Sequence, residues 1–181
     1  MLAAAQAGQD WAVAVIYHAY HPMLLRYLRW QEPNEADDLA GELWLAVARR
    51  LGSFSGDEGA LRGWLFSIAH RRVADHRRRG ARRRTYPMPI EHFVARQGGI
   101  DPADTRAGLV APDVAVARLT AGLPRDQAEI IALRVLGGLG VDEVAELLGK
   151  RPGAVRVAQH RALKRLAATL TPEDVRQVFE T

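Results

Sequence analysis

Two groups of side chains in this sequence are of a type and spacing that could do chemistry, and both are cationic. Arg151, Arg156, His160, Arg161 and Lys164 fall on one outward face of a helical stretch, and no acid lies between Gly149 and Leu166. Eight arginines lie between Arg71 and Arg84, in RRVADHRRRGARRR, opposed there only by Asp75. The chemistry on offer is non-covalent. Guanidinium groups pair with phosphates, and they read guanine through O6 and N7 in a bidentate contact. A dense positive field attracts a polyanion. Groups suited to bond-making are missing. The chain has no cysteine, no nucleophile elbow, no phosphate-cradling glycine loop and no paired-acid site. The histidine pairs His18/His21 and His70/His76 come with no third ligand at regular spacing. No catalytic residue, metal site or cofactor is expected.

The first cationic face needs a scaffold, and the residues from Gly137 to Leu166 supply the pattern of a helix-turn-helix. Val144, Ala145 and Leu148 make the apolar side of a short helix over residues 141–148. Gly149 suits the open or left-handed corner that a residue with a Cβ resists. Pro152 suits the first turn of a second helix, where its missing N–H costs nothing. Val155 is placed to plug the crossing. A basic helix held across a supporting one has the geometry that enters a major groove. The plainer alternative, a helical hairpin within an ordinary core, leaves the acid-free outward face without a purpose.

The 181 residues are 48% apolar with a net charge of +4, enough for one domain or two small ones. The start MLAAAQAGQDW lacks the basic opening and long apolar run of a signal peptide. No stretch approaches the length of a membrane span. The expectation is a cytoplasmic protein that does not insert into membranes.

Helical periodicity runs from about Gln9 to Trp30, with Trp11, Val15, Met23 and Tyr27 at helical spacing, Ile16, Tyr20, Leu24 and Leu28 alongside, and Pro22 placed to kink or divide the helix. The next helix, residues 35–51, has acids in its first turn and arginines in its last, as the helix dipole favours. Leu39, Leu43, Ala46 and Val47 face its core. Residues 52–59 are loop by composition. A further helix runs from Ala60 to about Arg79, packed through Leu61, Trp64, Leu65, Ile68 and Ala69 before it turns basic. Periodicity stops at Thr85 and resumes near Asp113. We therefore expect an all-α chain of two small helical domains, an N-terminal bundle (1–84) and a helix-turn-helix domain (113–181), joined by a flexible linker (85–112). In the second domain residues 113–121 read as a short helix with Val114, Ala117, Arg118 and Leu119, and Pro124 opens another with Ala128, Ile131, Ala132 and Val135 at helical spacing. Thr171 to Asp174 reads as the capped start of a final helix, with Val175 and Phe179 placed to close over the second core.

With these segments in order, the chain resembles an extracytoplasmic-function (group IV, sigma-70 family) sigma factor, a promoter-recognition subunit of bacterial RNA polymerase. Residues 20–28 resemble the start of sigma region 2. DDLAGELWLAVARRL (37–51) resembles the helix that grips core polymerase. LRGWLFSIAHRRVADHRRR (61–79) resembles the promoter-melting segment and carries the family's WLxxIA pattern. The stretch from Leu123 to Leu166 resembles region 4, with its LP start and HRA core. Arg71 stands where the family usually has asparagine. Val157, Ala158 and Gln159 depart from the usual recognition helix, so the minus-35 preference of other members does not carry over.

The resemblance implies roles. Arg151, Arg156, Val157, His160, Arg161 and Lys164 would meet the minus-35 element, with Arg151 and Lys164 positioning the backbone; a structural ion pair is the alternative for Arg161. Trp64, Phe66, Arg71, Arg72, Arg77, Arg78 and Arg79 would serve minus-10 recognition and melting. Plain core packing competes for Trp64, and a passive basic tail competes for the arginines. Asp38, Glu42, Leu45 and Arg49 would face core polymerase, against the alternative of a solvated helix face. Promoter DNA and core polymerase are the implied partners, and family members are often held inactive by an anti-sigma protein. The competing function is an autonomous helix-turn-helix regulator with a sensor bundle, which would not need the WLxxIA-plus-arginine segment. A nuclease or recombinase would lack catalytic residues.

Overall fold

The structure is a computed structural model that describes the backbone of residues 1–84 and 112–169, and the side chains of residues 1–82 and 112–168. Among these residues all regular structure is helical: α1 (Leu2–Gln6), α2 (Asp10–Gln31), α3 (Ala36–Arg50), α4 (Glu58–Arg84), α5 (Pro112–Thr120), α6 (Arg125–Val135), α7 (Val141–Leu148) and α8 (Pro152–Thr169), with a 3-10 turn at Leu51–Ser53. The expected helical units are both present. The helix expected from Thr171, with Val175 and Phe179, lies outside the described residues, as does the span 85–111.

In the first unit α2, α3 and α4 pack on one another. α2 continues through Pro22 without a break. Its buried positions are Ala12, Ile16, Leu24, Tyr27 and Leu28, which take Ile16, Leu24 and Leu28 from one of the two apolar stripes and Tyr27 from the other. Trp11 is 60% exposed and Val15 45%. α3 starts with Asp37 and Asp38 and ends with Arg49 and Arg50, both favourable to its dipole. It buries Leu39, Leu43, Ala46 and Val47 as expected. α4 begins where the Asp57 carboxylate accepts the Ala60 N–H at 2.8 Å, a side-chain cap for an orphan donor. Its core positions are Leu61, Leu65, Phe66, Ile68, Ala69 and Val73.

In the second unit burial differs from the apolar spacing that the sequence shows on α6. On α5 the buried side chains are Val116 and Thr120, while Ala117 and Arg118 face out. On α6 Val135 is 62% exposed, whereas Ile130 and Leu133 are fully buried beside Ala128, Ile131 and Ala132. The cause is that α6 is covered on more than one side. It packs against α5, α7 and α8, and it also meets α2 of the first unit.

The two units thus share a core. α2 packs on α5 and α4 on α7. Ile130, Leu133, Leu139, Val144 and Val155 belong to the same buried cluster as Tyr27, Leu61, Leu65 and Phe66. At this seam Gly137 has no room for a side chain: a Cβ there would lie 2.7 Å from the Leu133 carbonyl oxygen and 3.0 Å from the Phe66 ring.

Candidate nucleic-acid interface

The recognition face is built on α7 and α8. Glu143 turns back to accept the Gly140 N–H at 2.6 Å, which fixes the start of α7. Gly149 ends that helix at φ 63° and ψ 31°, the left-handed corner that the sequence requires. The Lys150 N–H then bonds the Ala145 carbonyl at 2.8 Å. Val155, Ala162 and Leu166 are the buried side of α8. That orientation leaves Arg151, Arg156, Val157, His160, Arg161 and Lys164 all exposed. The face is cationic with one apolar member, Val157, at 50% exposure. Arg156 has only a loose 4.0 Å contact with Asp142, both side chains being largely in solvent. Such a pair is worth little, so the guanidinium stays available. Arg161 makes no ion pair among the described residues, and the structural role weighed for it has no partner there.

The second cationic group follows α4, and here the seven named side chains divide. Phe66 is fully buried, edge-on to Tyr27 with ring centroids 5.6 Å apart. Buried in this way it cannot offer a face to a base. Trp64 is half-buried against Phe54, centroids 4.9 Å apart. Arg77 is tied to the Glu32 carboxylate and reaches the Gln31 carbonyl at 3.0 Å and its side-chain oxygen at 2.7 Å. Arg78 pairs with Asp75, whose carboxyl is held below the usual carboxylate range by that hydrogen bond and by the charges of Arg78, Arg72 and Arg79. Arg71 stacks back onto its own helix through Ser67. Arg72 and Arg79 both approach Glu42 on α3, at 3.8 and 3.3 Å.

Glu42 therefore joins the arginine track to the α3 face. Asp38, Leu45 and Arg49 are exposed on that helix, and Leu45 is 60% in solvent. Beside them lies an aromatic cluster that sequence reasoning left unassembled. Tyr17 stacks on His21 at 4.6 Å, and Trp44 sits 4.9 Å from Tyr17. The Trp44 indole N–H donates to His21 Nδ1 at 3.1 Å, so that nitrogen must be unprotonated. Burial holds the His21 pKa below its usual 6.5; Arg29 and His18 add to the effect and Asp37 opposes it. A depressed histidine pKa means that the folded form resists the proton. The associated stability is complete above pH 6.5 and declines as pH falls from there through the lower folded value. The Trp44 indole proton resonance is expected to report a His21 titration with its midpoint below 6.5; a midpoint above 6.5 would refute the assignment.

Comparison with known proteins bears on what these surfaces serve. A model of sigma-70 region 2 matches residues 16–83 and a model of sigma-70 region 4 matches residues 113–166. The ECF RNA polymerase sigma factor ShbA of Streptomyces griseus is 38% identical over 157 residues, which cover 82% of each chain. The chain belongs to the ECF sigma factors of the sigma-70 family. SigD of Mycobacterium tuberculosis is a further relative, 34% identical over 173 residues that cover 92% of this chain and 80% of SigD. Two solved structures share the fold, each with a TM-score of 0.63. CnrH in complex with the cytosolic domain of CnrY is 22% identical and is matched over 92% of both chains. The sigma factor RpoE in complex with the anti-sigma factor NepR from Bartonella quintana is 20% identical, over 86% of this chain and 94% of that one.

As an ECF sigma factor the protein works with core RNA polymerase and directs promoter recognition, which decides against an autonomous regulator. No helix among the described residues is long and apolar enough to cross a membrane.

Proposed function

We propose that α8 reads the minus-35 element, that α4 tracks the strand opened at the minus-10 element, and that α3 docks on core polymerase. The observation that supports this best is the exposed face of α8, where five basic side chains surround Val157 on a helix anchored only by its opposite side. In the groove, Arg156 and Arg161 suit guanine edges and Val157 suits a thymine methyl. Arg151 and Lys164 suit phosphates. Along α4 the exposed Arg71, Arg78 and Arg79 suit the opened strand, and Trp64 is the aromatic side chain left partly accessible there. On α3 the exposed Leu45, flanked by Asp38, Glu42 and Arg49, suits an apolar contact ringed by charge. The protein acts in the cytoplasm by binding alone and catalyses no reaction of its own.

Run-off transcription with purified core polymerase tests the whole reading: no promoter-directed transcript from its cognate upstream region would defeat it. For α8, Arg156→Ala is expected to weaken minus-35 binding by about tenfold or more, as for loss of one bidentate base contact. Unchanged footprinting at that element would remove Arg156 from the reading.

A further inference from the structure

The turn between α3 and α4 is held by the short helix at the start of the chain. Gln6 is the last residue of α1, and its side-chain amide reaches across the turn. Nε2 donates to the Leu51 carbonyl at 3.2 Å and to the Phe54 carbonyl at 2.7 Å. The Leu51 carbonyl also accepts the Phe54 N–H at 3.1 Å, which closes the 3-10 turn. These two carbonyls bracket Gly52 and Ser53, both exposed, so one amide fixes the spacing of the turn's two ends. α1 is itself anchored. Leu2 and Ala5 are buried in the core that also contains Leu51, and the Leu2 N–H points to the Glu58 carboxylate, at the start of α4, at 3.4 Å.

What the turn carries is Phe54. Its backbone leaves the turn extended, at φ −66° and ψ 127°, and its ring lies against Trp64 of α4, centroids 4.9 Å apart and planes at 45°. Gly56 closes on the same ring: a Cβ there would lie 2.7 Å from Phe54 Cζ. Phe54 and Trp64 are both half-buried, so each keeps part of its surface in solvent. Trp64 also heads the basic side of α4. Ser67 Oγ donates to the Trp64 carbonyl at 2.7 Å, and Arg71 Nη2 donates to Ser67 Oγ at 2.8 Å. Trp64, Arg71 and Arg78 recur at two-turn spacing and so share one face of the helix. An aromatic pair at the head of a cationic track suits an unpaired strand, whose bases stack while its phosphates pair with arginine.

We infer that Gln6 is a positioning residue for promoter opening: α1 holds the Phe54–Trp64 pair in the geometry that receives one unpaired base of the minus-10 strand. Gln6 acts through the Leu51–Phe54 turn and not by touching the base. A neutral amide suits this task, because it offers two N–H donors to two carbonyls and adds no charge that competes for phosphate. Removing those donors leaves the contacts of Leu2, Ala5 and Leu51 in place, so the bundle stays folded while Phe54 loses its fixed seat beside Trp64. The inference rests on the reading of α4 as the track of the opened strand.

Holoenzyme binding to fork DNA, with the minus-10 strand of the cognate upstream region left unpaired, provides the test. An abasic site placed at each unpaired position in turn finds the base that is held. At that position the parent protein should prefer the intact fork by about tenfold, the size of one base–aromatic stack. Gln6→Met and Gln6→Glu keep the length of the side chain and remove its donors at neutral pH. In both variants the preference should fall to about twofold or less, with the abasic fork bound as by the parent and the far-ultraviolet circular dichroism unchanged. A purely structural role would weaken both forks together. That result, a preference retained in both variants, or a parent with no such position overturns the inference. Trp64→Leu separates it from the reading beneath it. Preference lost in Trp64→Leu but kept in the Gln6 variants leaves the stacking platform standing and removes the brace. Preference kept in Trp64→Leu as well defeats the platform, and the inference falls with it.

Discussion

Truncating Phe66 to alanine is expected to cost about 3–5 kcal/mol of folding stability, a large share of what holds a domain of this size together. The ring is fully buried, lies against Tyr27, and would touch any Cβ placed at Gly137. It thus packs against α2 of its own unit and against the α6–α7 connection of the other. Removing it leaves a cavity that neither side can fill without moving a helix. Phe66→Leu keeps most of the volume and should cost markedly less. Urea denaturation followed by far-ultraviolet circular dichroism measures both. A loss below about 1 kcal/mol for the alanine variant would mean that the ring is not a core residue and would return it to the DNA-facing group, where promoter opening would fail with stability intact.

Phe66 also shows why sequence reading succeeded in one part of the chain and failed in another. Within each unit the rules are local. Gly149 at a left-handed corner, Pro152 at a first turn, and Asp37 and Asp38 at a helix start each follow from the backbone within a few residues. The positions of α3, α7 and α8 were accordingly legible, as was the exposed face of α8, because Val155 must face inward. The packing of one unit on the other was not legible. Ile130 and Leu133 fall outside the spacing of Ala128, Ile131, Ala132 and Val135, and a helix counted as part of one small domain needs only one buried stripe. Burial by the first unit supplied the second stripe and drew Phe66 into the seam. Trp11 and Val15 erred in the opposite direction: both are apolar at helical spacing, but periodicity alone gives two adjacent stripes and does not say which one the partner helices cover.

The candidate site was legible in kind but not in pairing. Composition marked Arg71 to Arg84 as a polyanion track, yet the partners of Arg72, Arg77 and Arg79 come from α2 and α3, 30 or more residues away in sequence, where Glu32 and Glu42 are unremarkable acids. Tyr27, Gln31, His70 and Glu129 are likewise ordinary taken singly; only the fold gathers them around one carboxylate oxygen.

The arginine pairing leads to the second large effect. Replacing Arg71, Arg78 and Arg79 together with glutamine is expected to flatten the dependence of log K on log salt by about 2 to 3 for holoenzyme on minus-10 fork DNA, and to weaken binding a few hundredfold near 0.1 M salt, since each lost phosphate contact removes nearly one released counterion. The Arg78 and Arg79 side chains are 71% and 54% exposed, and Arg71 is held only by its own helix, so all three can turn to a phosphate without breaking the fold. Arg77 should behave differently. Its guanidinium is committed to Glu32 and to two oxygens of Gln31, so Arg77→Gln should lower the melting temperature while leaving the salt slope within one contact of the parent. An unaltered slope in the triple variant would make the run a passive tail. A slope lost as fully in Arg77→Gln as in the triple variant would mean that its pairing with α2 does not persist on DNA, and that the first unit rearranges when the promoter opens.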